Sequence, residues 1–325
     1  MSECRIPRQL GTTEITISPV ALGCWPIAGM TSLDVNDSDS LSTLHASLDV
    51  GINFLDTAYC YGANGESERL ISQSLGSRRD EVVIATKGGI HWNEVGERVV
   101  DGRPATLHRQ CDESLQRLNT DHVELLYLHA PDPKVPLADS AGALRELLEA
   151  GKTRSVGVSN FNVEQLEEFQ AVCPITALQP PYNMLQRQIE QDTLPWCQQH
   201  NISVIVYWPL MKGLLAGRLP RNHQFQEGDG RQKYPMFQGE EWEKNQDFLD
   251  RLREIATQTG KTVAQTVVNW TIHQPGITAA LCGAKRPYQI TETSGAMGWE
   301  LTAEQHSFID EALRDRGLPV TRGAV

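Results

Sequence analysis

The stretch Gly51-Ile-Asn-Phe-Leu-Asp56-Thr-Ala-Tyr-Cys-Tyr61-Gly62 decides the fold of this chain. Its apolar centre predicts a short buried strand over 53–56, and the glycines and small polar residues that follow predict a loop. The next helical pattern runs over 67–75. Asp56 is therefore expected at the carboxyl end of a strand and Tyr61 on the loop beyond it.

The same unit, a short apolar strand followed by a helical pattern, recurs along the chain. The predicted strands cover 20–23, 53–56, 82–86, 123–129, 154–158, 176–179, 202–206 and 277–282. Parallel strands require covering helices, so the alternation predicts an α/β protein built as a single (β/α)8 TIM barrel over residues 1–325. Residues 8–18 predict an N-terminal hairpin that covers one end, and patterns that begin near 242 and 302 predict extra C-terminal helices.

A doubly wound sheet is the alternative architecture for strands that alternate with helices. When such a sheet binds a dinucleotide, a G-x-G-x-x-G turn follows its first strand. No such turn follows the first predicted strand of this chain. The barrel is therefore the preferred interpretation.

The bulk composition is typical of a soluble globular protein. Of 325 residues, 40% are hydrophobic and 22% charged, and the formal net charge of -12 argues against binding to nucleic acid or to anionic membranes. The N-terminus lacks the apolar core of a signal peptide, and no apolar run approaches membrane length, so a cytoplasmic location is expected. Seven dispersed cysteines without a C-x-x-C pair predict reduced thiols and no metal site.

Four polar side chains fall at or just beyond predicted strand ends, where a barrel gathers its catalytic groups: Asp56, Tyr61, Lys87 and His129. A tyrosine titrates near pH ~10, so an acid–base role at neutral pH requires a cation such as Lys87 beside it. Asp56 would hold the Lys87 ammonium, and His129 would hydrogen-bond the substrate oxygen. Because a carbonyl that accepts a hydride gathers negative charge on its oxygen, Tyr61 is the predicted proton donor.

Each of these residues also has a structural interpretation. A strand-end aspartate often caps a loop, a lysine after a strand is usually solvated, and a single histidine is often structural. A metal site that includes Asp56 and His129 is a further alternative, but no ligand spacing supports it and Lys87 would repel the cation. The shared position of the four residues favours catalysis.

The motifs around these residues resemble those of the aldo-keto reductase family over nearly the whole chain. Gly51 to Gly62 with Ser67-Glu68 is similar to the family's first signature, Thr86-Lys87-Gly88 to its lysine strand and 114–132 to its histidine strand. Gly151-Lys-Thr-Arg-Ser-Val-Gly-Val-Ser-Asn-Phe161 adds a further match. The resemblance implies an oxidoreductase that interconverts an aldehyde or ketone and its alcohol, with NADP(H) bound across the barrel mouth.

The resemblance also implies which residues bind the cofactor. Ser159, Asn160 and Gln179 would hydrogen-bond the nicotinamide carboxamide, Tyr207 would stack on the nicotinamide ring, and 208–217 would surround the pyrophosphate. The full set of predicted cofactor contacts is Gly23, Trp25, Asp56, Ser159, Asn160, Gln179, Tyr207, Trp208, Pro209, Leu210, Lys212, Gly213, Gly217, Arg231, Gly283, Ala284, Lys285, Arg286, Gln289, Glu292 and Thr293.

The segment 283–293 is similar to the family's adenosine-phosphate site, with two departures. Many relatives carry an arginine where Gln289 stands and an asparagine where Thr293 stands, so selection of the 2′-phosphate would fall to Lys285 and Arg286. NADP(H) is the expected cofactor, and NAD(H) is the alternative.

Loops at the mouth are expected to contact the substrate. The predicted substrate residues are Trp25, Tyr61, His91, Trp92 and His129. Their aromatic rings fit an apolar or ring-bearing carbonyl, with packing of the rim as the structural alternative, and the glycine-rich segment 212–240 predicts a lid. The partner is a small carbonyl or alcohol. The alternative function is a cofactor-binding regulatory or partner-docking subunit, which would not need all four catalytic groups.

Overall fold

Eight parallel strands close a barrel in the computed structural model, which describes residues 7–29 and 33–320. The strands in chain order are β1 Arg8–Gln9, β2 Thr16–Ile17, β3 Val20–Gly23, β4 Phe54–Asp56, β5 Val83–Gly88, β6 Ile90–Trp92, β7 Arg98–Val100, β8 Leu125–Leu128, β9 Val156–Ser159, β10 Ala177–Gln179, β11 Ser203–Val206 and β12 Ile277–Gly283. The barrel order is β3-β4-β5-β8-β9-β10-β11-β12, and β12 pairs with β3. The predicted (β/α)8 barrel is confirmed.

Helices follow the barrel strands along the chain and cover the outside of the barrel. They are α1 Asp37–Asp49, α2 Glu66–Leu75, α3 Pro104–Leu118, α4 Leu137–Glu149, α5 Val163–Gln170, α6 Thr193–Gln199, α7 Gly239–Thr259, α8 Val263–Ile272, α9 Pro287–Ser294 and α10 Ala303–Arg316. The extra helices α7 and α10 pack against each other outside the repeating unit. The capping box predicted at the start of α5 is present, because Asn162 Oδ1 accepts from the Gln165 N–H at 2.9 Å and Gln165 Oε1 accepts from the Asn162 N–H at 3.0 Å.

The N-terminal hairpin closes the amino end of the barrel, as predicted. β1 and β2 pair antiparallel, and the buried side chains of Leu10 and Ile17 join the apolar cluster inside the barrel. The Arg8 guanidinium donates to the carbonyl oxygens of Ile277 and Thr278, at 3.0 Å each. Apolar burial and backbone hydrogen bonds therefore hold this end together.

One glycine makes room inside the barrel. A Cβ added at Gly157 in β9 would lie 2.4 Å from Cε1 of Tyr127 in the neighbouring β8. Tyr127 is fully buried, so its ring fills the space that any larger residue at position 157 would need. The ring packs with the same interior cluster that the hairpin closes.

Several boundaries differ from the sequence-based prediction because local side chains decide them. The predicted helix over 189–200 is divided, since Asp192 accepts from the Thr193 N–H and begins a separate helix, α6. Residues 91–92, predicted as loop, belong to an antiparallel hairpin of β6 and β7. The segment 212–240 contains short 3₁₀ turns and packs through Phe225 on Phe237, with ring centroids 5.4 Å apart.

Two further predictions concern thiols and membranes. The described cysteines are free and buried: Cys24, Cys60, Cys111, Cys173, Cys197 and Cys282. Cys4 lies outside the described residues. Over 7–29 and 33–320, no helix is long and apolar enough to cross a membrane.

Candidate active site

The carboxyl end of the barrel brings together the four residues predicted to be catalytic. Asp56 ends β4, Lys87 lies near the end of β5, and His129 is the first residue after β8. The Lys87 ammonium is 2.6 Å from Asp56 Oδ1 and 3.2 Å from Tyr61 Oη. The charged pair and the phenol therefore form one contiguous cluster, which is the geometry the spacing predicts.

The Asp56–Lys87 ion pair is fully buried, and hydrogen bonds complete it. Both residues are 1% exposed. Lys87 Nζ also donates to the carbonyl oxygen of Thr57 at 2.7 Å, and Gln179 Nε2 donates to the second carboxylate oxygen of Asp56 at 2.7 Å. An ammonium has three hydrogens, and here Asp56, Thr57 and Tyr61 accept all three. Such complete satisfaction is what a buried charge requires.

Tyr61 is positioned by a turn and an aromatic neighbour. Gly62 follows it with φ of 99°, a left-handed conformation that glycine adopts easily, and the Trp25 ring lies edge-on with centroids 5.0 Å apart. Burial, followed by the negative charge of Asp56, raises the pKa of Tyr61 well above its usual value. The phenol is therefore protonated at neutral pH, whereas the sequence-based expectation was that Lys87 would bring its pKa toward neutrality.

His129 is a neutral imidazole that contacts a thiol. Burial, with smaller contributions from the charges of Lys87 and Arg98, lowers the pKa of His129 well below its usual value. Its Nδ1 lies 3.7 Å from Cys60 Sγ, and burial raises the pKa of the Cys60 thiol to about 11. A protonated thiol thus stands against one ring nitrogen of a neutral histidine. No pattern in the sequence indicates this contact, because Cys60 and His129 are 69 residues apart.

The predicted carboxamide-binding residues form a connected polar chain beside the cluster. Tyr207 Oη donates to Asn160 Oδ1 at 2.8 Å, and Asn160 Nδ2 donates to the His129 carbonyl oxygen at 3.1 Å and to Ser159 Oγ at 3.0 Å. Ser159 Oγ in turn donates to the Gln179 carbonyl oxygen at 2.8 Å. Since Gln179 also contacts Asp56, one hydrogen-bonded network joins this group to the ion pair.

The segment predicted to surround the pyrophosphate has an unusual backbone. Positive φ angles occur at Trp208 (62°), Met211 (44°), Lys212 (56°), Gly213 (88°) and Gly217 (68°). Left-handed non-glycine residues are uncommon, and their concentration in one segment is typical of ligand-binding turns whose N–H groups face an anion. The N–H groups of Met211, Gly213 and Gly217 donate to carbonyl oxygens within the segment, so its contact with a pyrophosphate stays a prediction. Lys212 Nζ lies over the Trp208 ring, 4.8 Å from its centroid.

Two cations stand together at the predicted adenosine-phosphate end. Lys285 Nζ donates to the Leu33 carbonyl oxygen at 2.5 Å, and Arg286 Nη2 donates to the Asp34 carbonyl oxygen at 2.6 Å. Gln289 Oε1 accepts from the backbone N–H groups of both cationic residues, at 2.8 and 3.1 Å. Gln289 thus caps α9 and orients the two residues that could meet a phosphate.

The other residues of this end serve mainly as its frame. Glu292 pairs with Arg218, with Oε2 to Nη2 at 2.7 Å, and Thr293 Oγ1 donates to the Gln289 carbonyl oxygen at 3.1 Å. Gly23 and Gly283 are register partners on β3 and β12, with Ala284 following. A Cβ at position 283 would lie 3.0 Å from Pro26 Cγ, so the turn after β3 packs closely on the end of β12.

Arg231 lies where the segment 212–240 meets the left-handed turns. A Cβ added at Gly213 would be 3.8 Å from Arg231 Nη1. The Arg231 guanidinium binds Asp229, with Nη2 to Oδ2 at 2.6 Å, and its side chain is 33% exposed. Its cofactor role stays a prediction.

The two predicted substrate residues of the β6–β7 hairpin lie on different faces. Trp92 Nε1 donates to the Cys60 carbonyl oxygen at 2.8 Å, which seats its ring beside the catalytic loop. Alternation along a strand turns the neighbouring His91 to the opposite face. Both substrate assignments stay predictions. Among the residues described, no three His, Cys, Asp or Glu side chains are grouped so that they could hold a metal ion.

The buried carboxylate of Glu68 lies next to the site, and the sequence predicts no catalytic or binding role for it. Glu68 is 0% exposed; it accepts from Thr86 Oγ1 at 2.7 Å and from Arg117 Nη1 at 3.2 Å. Glu68 lies in α2, Thr86 directly precedes Lys87 in β5, and Arg117 lies in α3. The two hydrogen bonds therefore connect β5 to both helices next to Lys87. The available signal was a glutamate on the apolar side of an amphipathic helix, within the motif that resembles the family's first signature.

Comparison with known proteins agrees with this geometry. The sequence profile of the Aldo/keto reductase family matches residues 19–314. The chain is 35% identical over 309 residues to aldo-keto reductase YhdN of Bacillus subtilis (strain 168), covering 94% of this chain and 93% of that protein. The chain belongs to the aldo/keto reductase family. It is accordingly an oxidoreductase of a family that acts on small carbonyl compounds with NAD(P)H.

Two solved structures are similar over almost their whole length. The glycerol dehydrogenase AKR11B4 from Gluconobacter oxydans superposes with a TM-score of 0.90 at 35% identity, covering 98% of both chains. The holo form of aldo-keto reductase AKR11C1 from Bacillus halodurans gives a TM-score of 0.77 at 25% identity, covering 98% of this chain and 97% of that one.

Proposed function

We propose that the protein interconverts an aldehyde or ketone and its alcohol with NADP(H), and that Tyr61 transfers the proton. The observation that carries this proposal is the contact of Lys87 Nζ with both Tyr61 Oη (3.2 Å) and Asp56 Oδ1 (2.6 Å) at the mouth of the barrel. A buried ion pair that ends on a phenol is suited to proton transfer and is a weak source of stability.

When bound in the mouth, NADP(H) would supply the hydride for the carbonyl carbon. Negative charge gathers on the carbonyl oxygen, and the protonated phenol of Tyr61 donates its proton there. Lys87 stabilises the phenolate that remains, while Asp56 and the Thr57 carbonyl hold the ammonium in place. Alcohol oxidation follows the same steps in reverse, with the phenolate as base.

His129 assists as a neutral hydrogen-bond donor. The Cys60 thiol is protonated and lies 3.7 Å from Nδ1, and we assign the thiol as the donor to that nitrogen. A neutral imidazole that accepts at Nδ1 carries its hydrogen on Nε2. His129 therefore offers an N–H to the carbonyl oxygen without bringing a second positive charge next to Lys87.

The preference for NADP(H) is assigned to Lys285 and Arg286. Within residues 7–29 and 33–320, the side chains of both cations contact carbonyl oxygens, and Arg286 also contacts Asp39 at 3.3 Å. A 2′-phosphate would replace these acceptors with a dianion, which is a stronger partner for a guanidinium. NAD(H), which lacks the phosphate, would bind more weakly.

The proposal is tested by a fluorescence titration with NADPH and NADH, followed by turnover with a carbonyl and alcohol panel. The panel includes glyceraldehyde and glycerol because of the similarity to a glycerol dehydrogenase. We expect tighter binding of NADPH than of NADH and multiple turnovers on at least one aldehyde. Lys285→Ala should reduce that difference, and Lys233→Ala, an exposed lysine of the segment 212–240, is the matched control. Cofactor binding without multiple turnover would favour the regulatory-subunit alternative.

A further inference from the structure

The β6–β7 hairpin presents one cation on an otherwise apolar face. Its register places Ile90 opposite Val100 and Trp92 opposite Arg98. Residues directly opposite each other in an antiparallel pair project to the same side, and so do residues two apart along a strand. Ile90, Trp92, Arg98 and Val100 therefore share one face, on which Arg98 is the only charged residue.

That face packs on the catalytic loop. Ile90 belongs to a buried cluster with Ala58, Cys60 and Ala130, and the rings of Tyr61 and Trp92 pack against it together with Val100. Trp92 is anchored there by its hydrogen bond to the Cys60 carbonyl oxygen at 2.8 Å. Because Arg98 is the cross-strand neighbour of Trp92, its guanidinium stands at the rim of the same mouth.

The Arg98 side chain is exposed and unpaired. Across residues 7–29 and 33–320, it has no hydrogen bond or ion pair with another residue. The charge of Arg98 nevertheless acts on residues of the site. Burial and the charge of Lys87 are the larger causes that lower the pKa of His129, and the charge of Arg98 lowers it further. Burial raises the pKa of Tyr207, and the charge of Arg98 acts against that rise. In a chain of net charge -12, such a cation gives anions a local attraction that the bulk charge does not.

We infer that Arg98 binds an anionic group, a carboxylate or phosphate, on a substrate whose carbonyl carbon lies at Tyr61 and His129. The inference rests on the proposed function. A free guanidinium offers paired N–H donors that match either anion, and the Trp92 ring beside it provides an apolar wall for the carbon chain between anion and carbonyl. The substrate class is thus narrowed from apolar carbonyls to short aldehydes or ketones with an anionic end.

The test compares matched substrates that differ only in the anionic group. 4-Oxobutanoate is paired with butanal, and glyceraldehyde 3-phosphate with glyceraldehyde, so that the two arms separate carboxylate from phosphate. In the Arg98→Gln variant, kcat/KM for the preferred anionic substrate should fall about 10- to 100-fold, through KM, because one charge-assisted hydrogen-bonded contact is lost. For the neutral partner it should change by less than about twofold.

Two controls separate recognition from structural damage. Arg98→Lys should retain more of the phosphate preference than of the carboxylate preference, since lysine lacks the planar fork. Arg145→Gln removes an exposed arginine of α4, far from the mouth, and should leave all four substrates unaffected. Equal losses on charged and neutral partners in Arg98→Gln, or no loss on either anion, would overturn the inference.

A binding measurement keeps this inference distinct from the proposed function. Succinate has a carboxylate at each end and no reducible carbonyl, so calorimetry reports anion binding without turnover. We expect wild-type protein to bind succinate or inorganic phosphate and Arg98→Gln to bind it at least about tenfold more weakly. If no aldehyde is reduced, the proposed function fails while this difference still supports the anion site; equal binding by both proteins would overturn the site itself.

Discussion

The two ends of the barrel have opposite interiors, one filled by apolar side chains and the other by a buried ion pair. At the amino end, Leu10 and Ile17 of the hairpin fill an apolar interior. At the carboxyl end, Asp56 and Lys87 are as deeply buried but charged, and the nearby backbone turns left-handed at Trp208 and Lys212. Full burial of a large apolar side chain contributes about 1.5–3 kcal/mol, whereas a buried ion pair scarcely offsets its own desolvation. Apolar packing therefore dominates the interior at the amino end, and charge and polar contacts dominate it at the carboxyl end.

The largest expected effect is a loss of turnover at the carboxyl end without a loss of stability. Tyr61→Phe keeps the ring that packs on Trp25 but removes the hydroxyl that Lys87 contacts. We expect kcat for carbonyl reduction to fall about 10²- to 10⁴-fold, as for loss of a general acid. NADPH affinity, measured by fluorescence titration, should change by less than about threefold. Turnover at the wild-type rate would remove Tyr61 from the mechanism.

A substitution at the amino end should have the opposite effect: it should lower stability and leave turnover nearly unchanged. Leu10→Ala opens a cavity beneath the barrel and should lower the free energy of unfolding by about 2–5 kcal/mol, measured by urea denaturation, while kcat stays within about twofold. Leu318→Ala is the matched control, because Leu318 is 96% exposed and its loss should cost less than about 0.5 kcal/mol. A large drop in kcat for Leu10→Ala at full folding would show that the two ends are coupled.

A smaller effect is expected from the thiol that contacts His129. Cys60→Val replaces the thiol with two methyl groups, a slightly larger apolar side chain, and removes the donor to Nδ1, which frees His129 to adopt the other tautomer. We expect kcat/KM to fall about three- to tenfold, in line with the loss of one weak hydrogen bond, and Cys60→Ser, which keeps a donor, to retain more activity. If Cys60→Ser and Cys60→Val lose activity equally, the thiol only fills space.

The smallest expected effect is that of pH. Burial raises the pKa of Tyr61 above its usual value of about 10 and lowers that of His129 below its usual value of about 6.5. A raised pKa keeps the phenol protonated as pH rises, and a lowered one keeps the imidazole neutral as pH falls. Between pH ~7 and ~9, kcat/KM for reduction should vary by less than about threefold. A tenfold fall per pH unit within that window would contradict these directions.

The sequence predicts the barrel well because its signal is local and repeated. Each short apolar strand ends in a recognisable residue, and parallel strands bring those ends to one side, which is why Asp56, Lys87 and His129 could be grouped from spacing alone. Gln179 reaches Asp56 across 123 residues of sequence, and no pattern reveals that contact. The same is true of Cys60 against His129.

Other properties of the site could not be predicted because they depend on the surroundings of single side chains. The pKa of Tyr61 depends on how deeply its loop is buried, and the residue types in the loop do not predict that depth. Arg98 is one exposed arginine among many in the sequence, and only the register of a hairpin that the sequence analysis treats as loop sets it beside Trp92. The capping role of Gln289 could not be predicted either, because it requires the geometry of α9.

The most direct test of hydride transfer at this mouth follows a deuterium atom from cofactor to product. The wild-type protein is mixed with an aldehyde it reduces and with NADPH deuterated at one or the other C4 position, and the alcohol is analysed by mass spectrometry. We expect one of the two labelled cofactors to deliver a single deuterium to the carbinol carbon, with NADP+ formed in equal amount. NADPH that binds but delivers deuterium from neither position, and is not oxidised, would contradict the assignment of this mouth as a reductase site.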